Sequence, residues 1–468
     1  MNQVKARPAS QVDVQALYTS QKRFFDSGAT FPREFRTQQL RALADAVLRA
    51  EKRIADALWS DLHKPELEAY GTETWMVANE AKHAIKHLSR WMRVKRTFPP
   101  VVAQVGRTAL HADPLGTNVI FGAWNYPVQL TLQPLVAAIA AGNVAICKPS
   151  ELAPASSEVT TEIIRSTFSS EYVAAVEGGA DMAGSLLEIP FDHFFYTGGT
   201  NIGRVIARAA AEHLSRCTLE LGGKSPGLVG RTANIESTAR RLAWGRWMNA
   251  GQTCIAPDYL LVHESVHDAL IKRLGEMATE FYGADAKGSP DFGRIINDKH
   301  FARVSRLIDP AKVAYGGQTD PSERYIAPTI LTGVTFDDVV MQEEIFGPVL
   351  PVIKVKSMEE SIELVRRNPN PLALYLFTED GTEIERVTER VAFGCGCVNN
   401  TMMQMSDPAI PFGGVRTSGV GAYHGKHGFD VFTHYKGVLE ASSASIWDLP
   451  IKYPPYAGKL GKMKWVLG

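Results

Sequence analysis

Between Gly116 and Leu221 the chain alternates short apolar runs with longer helical ones. This alternation limits the possible folds more than any other feature. Val119-Ile120-Phe121-Gly122, Val144-Ala145-Ile146-Cys147, Val173-Ala174-Ala175-Val176, His193 to Tyr196 and Thr218-Leu219-Glu220-Leu221 read as buried strands. Pro127 to Ala141, Ala155 to Phe168, Met182 to Leu187 and Ile202 to Leu214 read as the helices between them. Strands joined through helices imply right-handed crossovers, and so a parallel sheet with helices on both faces. Sheets of this kind bind ligands beyond the carboxyl ends of their strands. Asn125, Lys148, Gly198-Gly199 and Glu220 all fall at or just after strand ends, which marks that edge as the place to look for chemistry.

A second set of α/β units follows. Ile235 to Met248 reads as a helix, Tyr259 to Val262 as a strand and Val266 to Tyr282 as a long amphipathic helix. Val349 to Val355, Glu359 to Arg366 and Ala373 to Phe377 continue it as strand, helix and strand. The first hundred residues read as helices, with Arg96 to Pro100 ending the pattern and Val101 to Ala112 an extended ribbon. A chain of 468 residues is too long for one ordinary core, so two or more domains are expected.

The 50 basic residues cancel the 50 acidic ones, which removes the electrostatic case for nucleic acid. Five cysteines lack the paired spacing of a zinc site, since Cys395-Gly396-Cys397 stands alone; no metal is expected, and a reducing cytoplasm suits them. The opening MNQVKARPASQVD has no apolar run typical of a secretory leader. The longest apolar stretch, Leu135 to Cys147, is broken by Gly142-Asn143 and too short to span a bilayer. The closing KMKWVLG can touch a membrane but not cross it.

Several residues carry chemistry in one reading and structure in another. Cys254, in "NAGQTCIAP", is either a nucleophile, with Gly251 giving access and its own N–H serving an oxyanion, or an inert core thiol. Glu220 is either a base made usable by poor solvation or a strand-end glutamate paired with Lys224. Asn125 is either an amide donor to an oxyanion or a helix N-cap. Lys148 and Glu151 suit the two hydroxyls of a ribose, or form a surface salt bridge. Gly198, Gly199 and Gly203 allow a pyrophosphate to approach a helix N-terminus, although GxGxxG spacing is absent. Glu344 can hold a second ribose and Phe346 can pack on a ring; the alternative is a plain loop.

In combination the motifs are specific. "KPSE", "YTGGTNIG", "LELGGKSP", "NAGQTC" and "EEIFGPV" stand in the order found in the aldehyde dehydrogenase superfamily, and the chain resembles that superfamily from about Phe25 to its tail. "GAWNYP", "PFGGVRTSG" and "YPPY" followed by basic residues resemble its class 3 branch, of fatty and aromatic aldehyde dehydrogenases. The resemblance implies that Cys254 is the nucleophile, Glu220 the base, and Asn125 with the Cys254 N–H the oxyanion hole. It implies that Lys148 and Glu151 hold the adenine ribose. Trp124, Gly198, Gly199, Gly203, Leu221 and Gly222 would line the dinucleotide, and Glu344 and Phe346 its nicotinamide half. Two departures stand out: "TGG" replaces the common "TGS", and "CGCVNNTMMQMSDPA" is rich in methionine where family members build the substrate pocket.

The implied fold is α/β: a Rossmann-like parallel-sheet cofactor domain, an α/β catalytic domain and a small β-ribbon oligomerisation element. The expected bounds are 1–98 and 116–221 for the NAD(P)-binding domain and 222–399 for the catalytic domain. The ribbon and tail take 99–115 and 425–468, and 400–424 returns to the cofactor domain. The implied reaction converts an aldehyde to a carboxylic acid through a cysteine thiohemiacetal and thioester. Glu151 favours NAD, with NADP second. Tyr70, Trp244 and Met402, Met403 and Met405 suggest an apolar pocket for a medium- or long-chain or aromatic aldehyde, or else pack in the core. A homodimer is expected, with no transmembrane segment and no nucleic-acid partner. The alternatives are a CoA-acylating aldehyde dehydrogenase and a non-catalytic binding member.

Overall fold

The structure, a computed structural model, describes residues 13–100, 103, 106–444 and 449–467. Of the extended ribbon expected from Val101 to Ala112, residues 101, 102, 104 and 105 lie outside the described residues, as do nearly all of the opening thirteen. The helices expected in the first hundred residues include Val14–Asp26, Arg33–Arg49, Glu51–Leu62 and Trp75–Trp91. The chain then runs into β1 (Lys95–Thr97), where a simple break was expected, and β2 (Gly106–Pro114). The two pair antiparallel.

The alternating stretch forms β3 (Thr117–Phe121), β4 (Val144–Lys148), β5 (Val173–Ala175), β6 (His193–Thr197) and β7 (Arg216–Glu220). They lie parallel in the order β7-β6-β3-β4-β5. The sheet is built outward from β3 in one direction, then the chain returns to β3's other side. Such a reversal leaves a crevice between neighbouring strand ends where the connections depart to opposite faces. It opens here between the carboxyl ends of β3 and β6, above Gly122–Asn125 and Gly198. Both faces of β3 are covered: Val119 and Phe121 join one apolar cluster and Ile120 the other. The helix Gln129–Ala141, which follows β3, is buried along its whole length.

A second sheet comprises β8 (Pro226–Val229), β9 (Tyr259–His263), β10 (Val313–Tyr315), β13 (Thr329–Leu331), β14 (Val349–Val355), β15 (Ala373–Phe377) and β16 (Cys395–Val398), in the order β10-β13-β14-β9-β8-β15-β16. Only β10 pairs antiparallel. β11 (Thr319–Asp320) and β12 (Tyr325–Ile326) form a small separate pair. Short β8 and polar β16 carry little hydrophobic period, and the sequence reading passes over both. Two late strands return to earlier structure. β17 (Gly419–Val420) pairs antiparallel with β7, setting Gly419 opposite Glu220, and β18 (Thr433–Ala441) completes the ribbon beside β2.

Candidate active site

The carboxyl end of β7 meets the loop preceding β9. That loop, Met248–Gly251, is a tight turn in which Asn249 (φ 52°), Ala250 (φ 51°) and Gly251 (φ 72°) all take left-handed conformations. For the two residues with side chains this costs about 1–3 kcal/mol each, so it persists only where neighbours over-determine it. They do. The Asn249 N–H donates to Glu68 (3.0 Å), and its Nδ2 donates to the carbonyl of Asn125 (3.0 Å). Gln252 Nε2 donates to the Asn249 carbonyl (3.1 Å) and the Arg294 carbonyl (2.9 Å). A Cβ on Gly251 would stand 2.3 Å from the Gly347 carbonyl oxygen. Gly251 therefore serves close packing of two backbones, a tighter requirement than the access expected of it.

Cys254 follows three residues later. It keeps part of its surface accessible, yet burial, and then Glu344 and Glu220, raise its thiol pKa. Burial therefore favours the protonated thiol. Asn125 is buried with its Nδ2 on the Gln252 carbonyl (3.1 Å), which leaves one N–H of the amide for another acceptor. Asn125 is not the helix cap: the helix begins at Gln129, and the N–H groups of Val128 and Gln129 donate to Glu73 Oε2 (2.9 and 3.0 Å). Glu73 in turn pairs with Lys64 (2.6 Å), both fully buried, and Lys64 Nζ reaches the Asn125 carbonyl (3.1 Å). Removing one member of such a pair strands the other charge, at about 3–5 kcal/mol. Lys64→Met is expected to lose stability on that scale, read by urea unfolding.

Glu220 closes β7. Burial holds its pKa well above the ordinary carboxylate range, and neither carboxyl oxygen has a hydrogen-bond partner. The pairing with Lys224 considered from sequence does not form, because Lys224 Nζ goes to Asp258 (2.6 Å) and to the carbonyls of Val340 and Glu343. Asp258 also holds Arg246 (3.1 Å) and the Ile345 N–H (3.1 Å), so this buried group anchors the turn bearing Glu344 and Phe346. Burial raises the Glu344 carboxyl to about 8, and its Oε1 has no partner. Gly222 makes room for it: a Cβ there would lie 2.0 Å from Glu344 Oε2. Phe346 (φ 50°) sets its ring 5.3 Å from Trp124, which also meets His300 at 5.0 Å.

Farther along the first sheet's edge, Lys148 is buried at the end of β4, and its Nζ reaches Glu151 (2.7 Å), whose side chain is about half exposed. Gly199 caps the helix Thr200–Glu212 and has open space where a Cβ would stand. A Cβ on Gly198 would strike the Tyr196 hydroxyl at 2.3 Å, and one on Gly203 would meet Leu221 Cδ2 at 2.7 Å. Gly203 and Leu221 thus touch each other in packing helix on strand. An open helix N-terminus, a Lys–Glu pair suited to a diol and a Glu344 carboxyl with one oxygen unpartnered together fit an extended dinucleotide. Tyr70 and Trp244 are each partly exposed, Tyr70 just after Glu68 and Trp244 on the helix Ile235–Trp247 that leads into Asn249. Met402 is buried, while Met403 is exposed. Among the described residues no group of three or more His, Cys, Asp or Glu could hold a metal ion.

Lys64, Glu73, Glu68 and Asp258 escaped the sequence reading. A charged residue in a helix or a loop carries no local sign that it is buried and paired.

Known proteins resemble this chain along nearly its whole length. The model of the aldehyde dehydrogenase family matches residues 2–438. The 4,4'-diaponeurosporen-aldehyde dehydrogenase of Staphylococcus aureus is 44% identical over 452 residues, covering 96% of this chain and 98% of that one. A dimeric, NADP-preferring aldehyde dehydrogenase of Canis lupus familiaris is 43% identical over 436 residues, covering 93% and 96%. A solved structure described as the substrate-bound state of Staphylococcus aureus AldH superposes with a TM-score of 0.94 at 42% identity, covering 97% and 99%.

Proposed function

The chain belongs to the aldehyde dehydrogenase family and oxidises aldehydes with NAD(P)+, and from that premise we propose that Cys254, Glu220 and Asn125 carry the reaction. One observation supports this most: the buried Glu220 carboxyl has no partner, and its charge bears on Cys254. Cys254 Sγ, after losing its proton to solvent, bonds to the aldehyde carbon. The aldehyde oxygen takes the negative charge, and the free N–H of Asn125 and the Cys254 main-chain N–H stabilise it. When bound, the nicotinamide supplies the acceptor for the hydride leaving that carbon. The thioester on Cys254 remains. Glu220 then removes a proton from water, the resulting hydroxide adds to the carbonyl, and the C–S bond breaks as Glu220 returns that proton to the departing sulfur, releasing the acid and the thiol.

Lys148 and Glu151 would hold the adenine ribose, with Trp124, Gly198, Gly199, Gly203, Leu221 and Gly222 along the dinucleotide and Glu344 and Phe346 at its nicotinamide end. The Glu151 carboxylate repels a 2′-phosphate, so NAD is the preferred cofactor and NADP the second. Glu151→Gln is expected to raise kcat/KM with NADP relative to NAD by roughly tenfold, since like charges in contact cost several kcal/mol when desolvated and less when half exposed. An unchanged ratio would refute the Glu151 placement.

The relative from Staphylococcus aureus is named for a diaponeurosporen-aldehyde, and here Tyr70, Trp244 and the methionines 402, 403 and 405 suit an apolar chain. We therefore favour a medium- or long-chain or aromatic aldehyde. A panel of such aldehydes, with both cofactors and no added CoA, tests this through reduced nicotinamide and free acid. Acyl-CoA formed in place of free acid, and only when CoA is added, would instead indicate the CoA-acylating alternative.

We further propose two larger divisions, 1–98 with 116–221 and 400–424 for cofactor, and 222–399 for catalysis. The three-stranded ribbon then mediates a homodimer, to be checked by light scattering. Its Leu110 and Leu439 are partly exposed in the single chain. Five unpaired cysteines suit a reducing compartment, and we place the protein in the cytoplasm. Among the described residues no helix is long and apolar enough to cross a membrane.

A further inference from the structure

We propose that Gln404 is a positioning residue for the nucleophile: through Tyr375 it fixes the turn that carries Cys254 and ties that turn to the methionine segment. This rests on the reading of Cys254 as the nucleophile. The Ala256 N–H donates to the Thr253 carbonyl (3.0 Å), so Cys254 and Ile255 are the two middle residues of a tight turn. Two short bonds hold it. At its first residue the Thr253 hydroxyl meets the Tyr126 hydroxyl (2.6 Å), and at its third the Ile255 carbonyl accepts from the Tyr375 hydroxyl (2.6 Å). Between them the Cys254 carbonyl has a long bond from Ser225 Oγ, at 3.5 Å. The Tyr375 bond is thus the short contact on the far side of the thiol, and without it Sγ has more freedom to swing.

The polarity of the contacts is set by chemistry. A carbonyl only accepts, so the Tyr375 hydrogen goes to Ile255 and the Tyr375 oxygen is left as an acceptor. Gln404 serves it from Nε2 (3.3 Å) and gives its second amide hydrogen to Cys395 Sγ (3.6 Å). Gln404 Oε1 accepts the S–H of Cys397 (2.9 Å). Cys395 spends its own hydrogen on the Leu372 carbonyl (3.5 Å). Reversing the amide would set its oxygen against the Tyr375 oxygen, whose hydrogen is already placed. Every donor and acceptor of the Gln404 amide therefore has a partner in one orientation only, and the bonds polarise one another toward the Ile255 carbonyl.

The fold brings these groups to one place. β15 and β16 pair with Tyr375 opposite Cys397, and Cys395 stands two residues before Cys397, so all three side chains share one face of the sheet. Gln404 lies over that face, buried like Tyr375 and Cys395. It belongs to the single helical turn Met403–Ser406, between Met403 and Met405. That segment is wedged on its other side against the helix bearing Trp244. The Thr401 hydroxyl donates to the Arg241 carbonyl (2.7 Å), and a Cβ on Gly245 would stand 2.6 Å from Thr401 Oγ1. The solitary Cys395-Gly396-Cys397 motif thereby gains a role: its two thiols orient the amide that holds the Tyr375 hydroxyl.

The test measures single-turnover formation of reduced nicotinamide by stopped flow, with NAD and octanal or benzaldehyde. It compares wild type, Tyr375→Phe, Gln404→Leu, the double variant and Cys254→Ala. Rates are taken per NAD-binding site, so chains that fail to fold are not counted. Tyr375→Phe is expected to slow this step about tenfold, and Gln404→Leu about three- to fivefold. NAD affinity and the aldehyde KM should each change by less than about twofold, since the loss falls on the reacting thiol and not on binding. The double variant should be no slower than Tyr375→Phe, because Gln404 acts through that hydroxyl. Wild-type rates in both single variants, or losses that multiply in the double variant, overturn the role of Gln404; an inactive Cys254→Ala then leaves the nucleophile standing. Turnover in Cys254→Ala overturns the reading of the nucleophile itself.

Discussion

Cys254→Ala is expected to abolish reduced-nicotinamide formation from any aldehyde, a loss on the order of 10⁴-fold or more, as when a covalent nucleophile is removed. The variant should fold normally. Cys254 packs partly buried against the apolar core, but its loop is held by Asn249, Gln252 and the Gly251–Gly347 contact, none of which uses the thiol. Dinucleotide binding should therefore survive. Because burial and two carboxylates keep the wild-type thiol protonated, thioester formation should also quicken as pH rises. Stopped-flow absorbance with wild type and variant checks both points. Turnover in the variant near the wild-type rate would end the covalent mechanism.

Glu220→Gln is expected to separate the two halves of the reaction. One equivalent of reduced nicotinamide per site should still form, and steady turnover should then fall by about 10²–10⁴-fold, the usual contribution of a general base. Mass measurement should find the acyl group on Cys254. Full steady turnover would rule Glu220 out. The same variant should be more stable than wild type at neutral pH. Below about 4.5 the folded and unfolded carboxyls are both protonated, and Glu220 contributes nothing. Above that the unfolded chain loses the proton while the buried carboxyl keeps it, so wild-type stability falls with pH until the raised folded pKa is passed. The stability gap between variant and wild type should open over that range, read by unfolding at several pH values.

How much of this was legible depends on how local each signal is. β3 to β7 and the helices between them follow from apolar runs and their period, which neighbours along the chain reveal. β8 and β16 do not, because a strand of four residues, or one reading Cys-Gly-Cys-Val, has too little period. β17 and β18 pair with strands some 200 and 300 residues earlier, and no local pattern announces such a partner. The candidate residues were visible for a different reason: glycine next to a functional group at a strand end leaves a recognisable string, as in "LELGGKSP" and "NAGQTC".

The sequence alone determined the alternating sheet, the family and the identities of Cys254, Glu220 and Asn125 as candidates. It left each with a structural alternative. Tertiary structure decided between two of those pairs: Lys224 went to Asp258 and left Glu220 without a partner, and Glu73 took the helix N-terminus and left Asn125 an N–H to give. The reason is physical. Whether a charge is solvated, paired or stranded depends on what the rest of the chain brings against it, and a buried carboxyl becomes a strong base only when nothing else claims it.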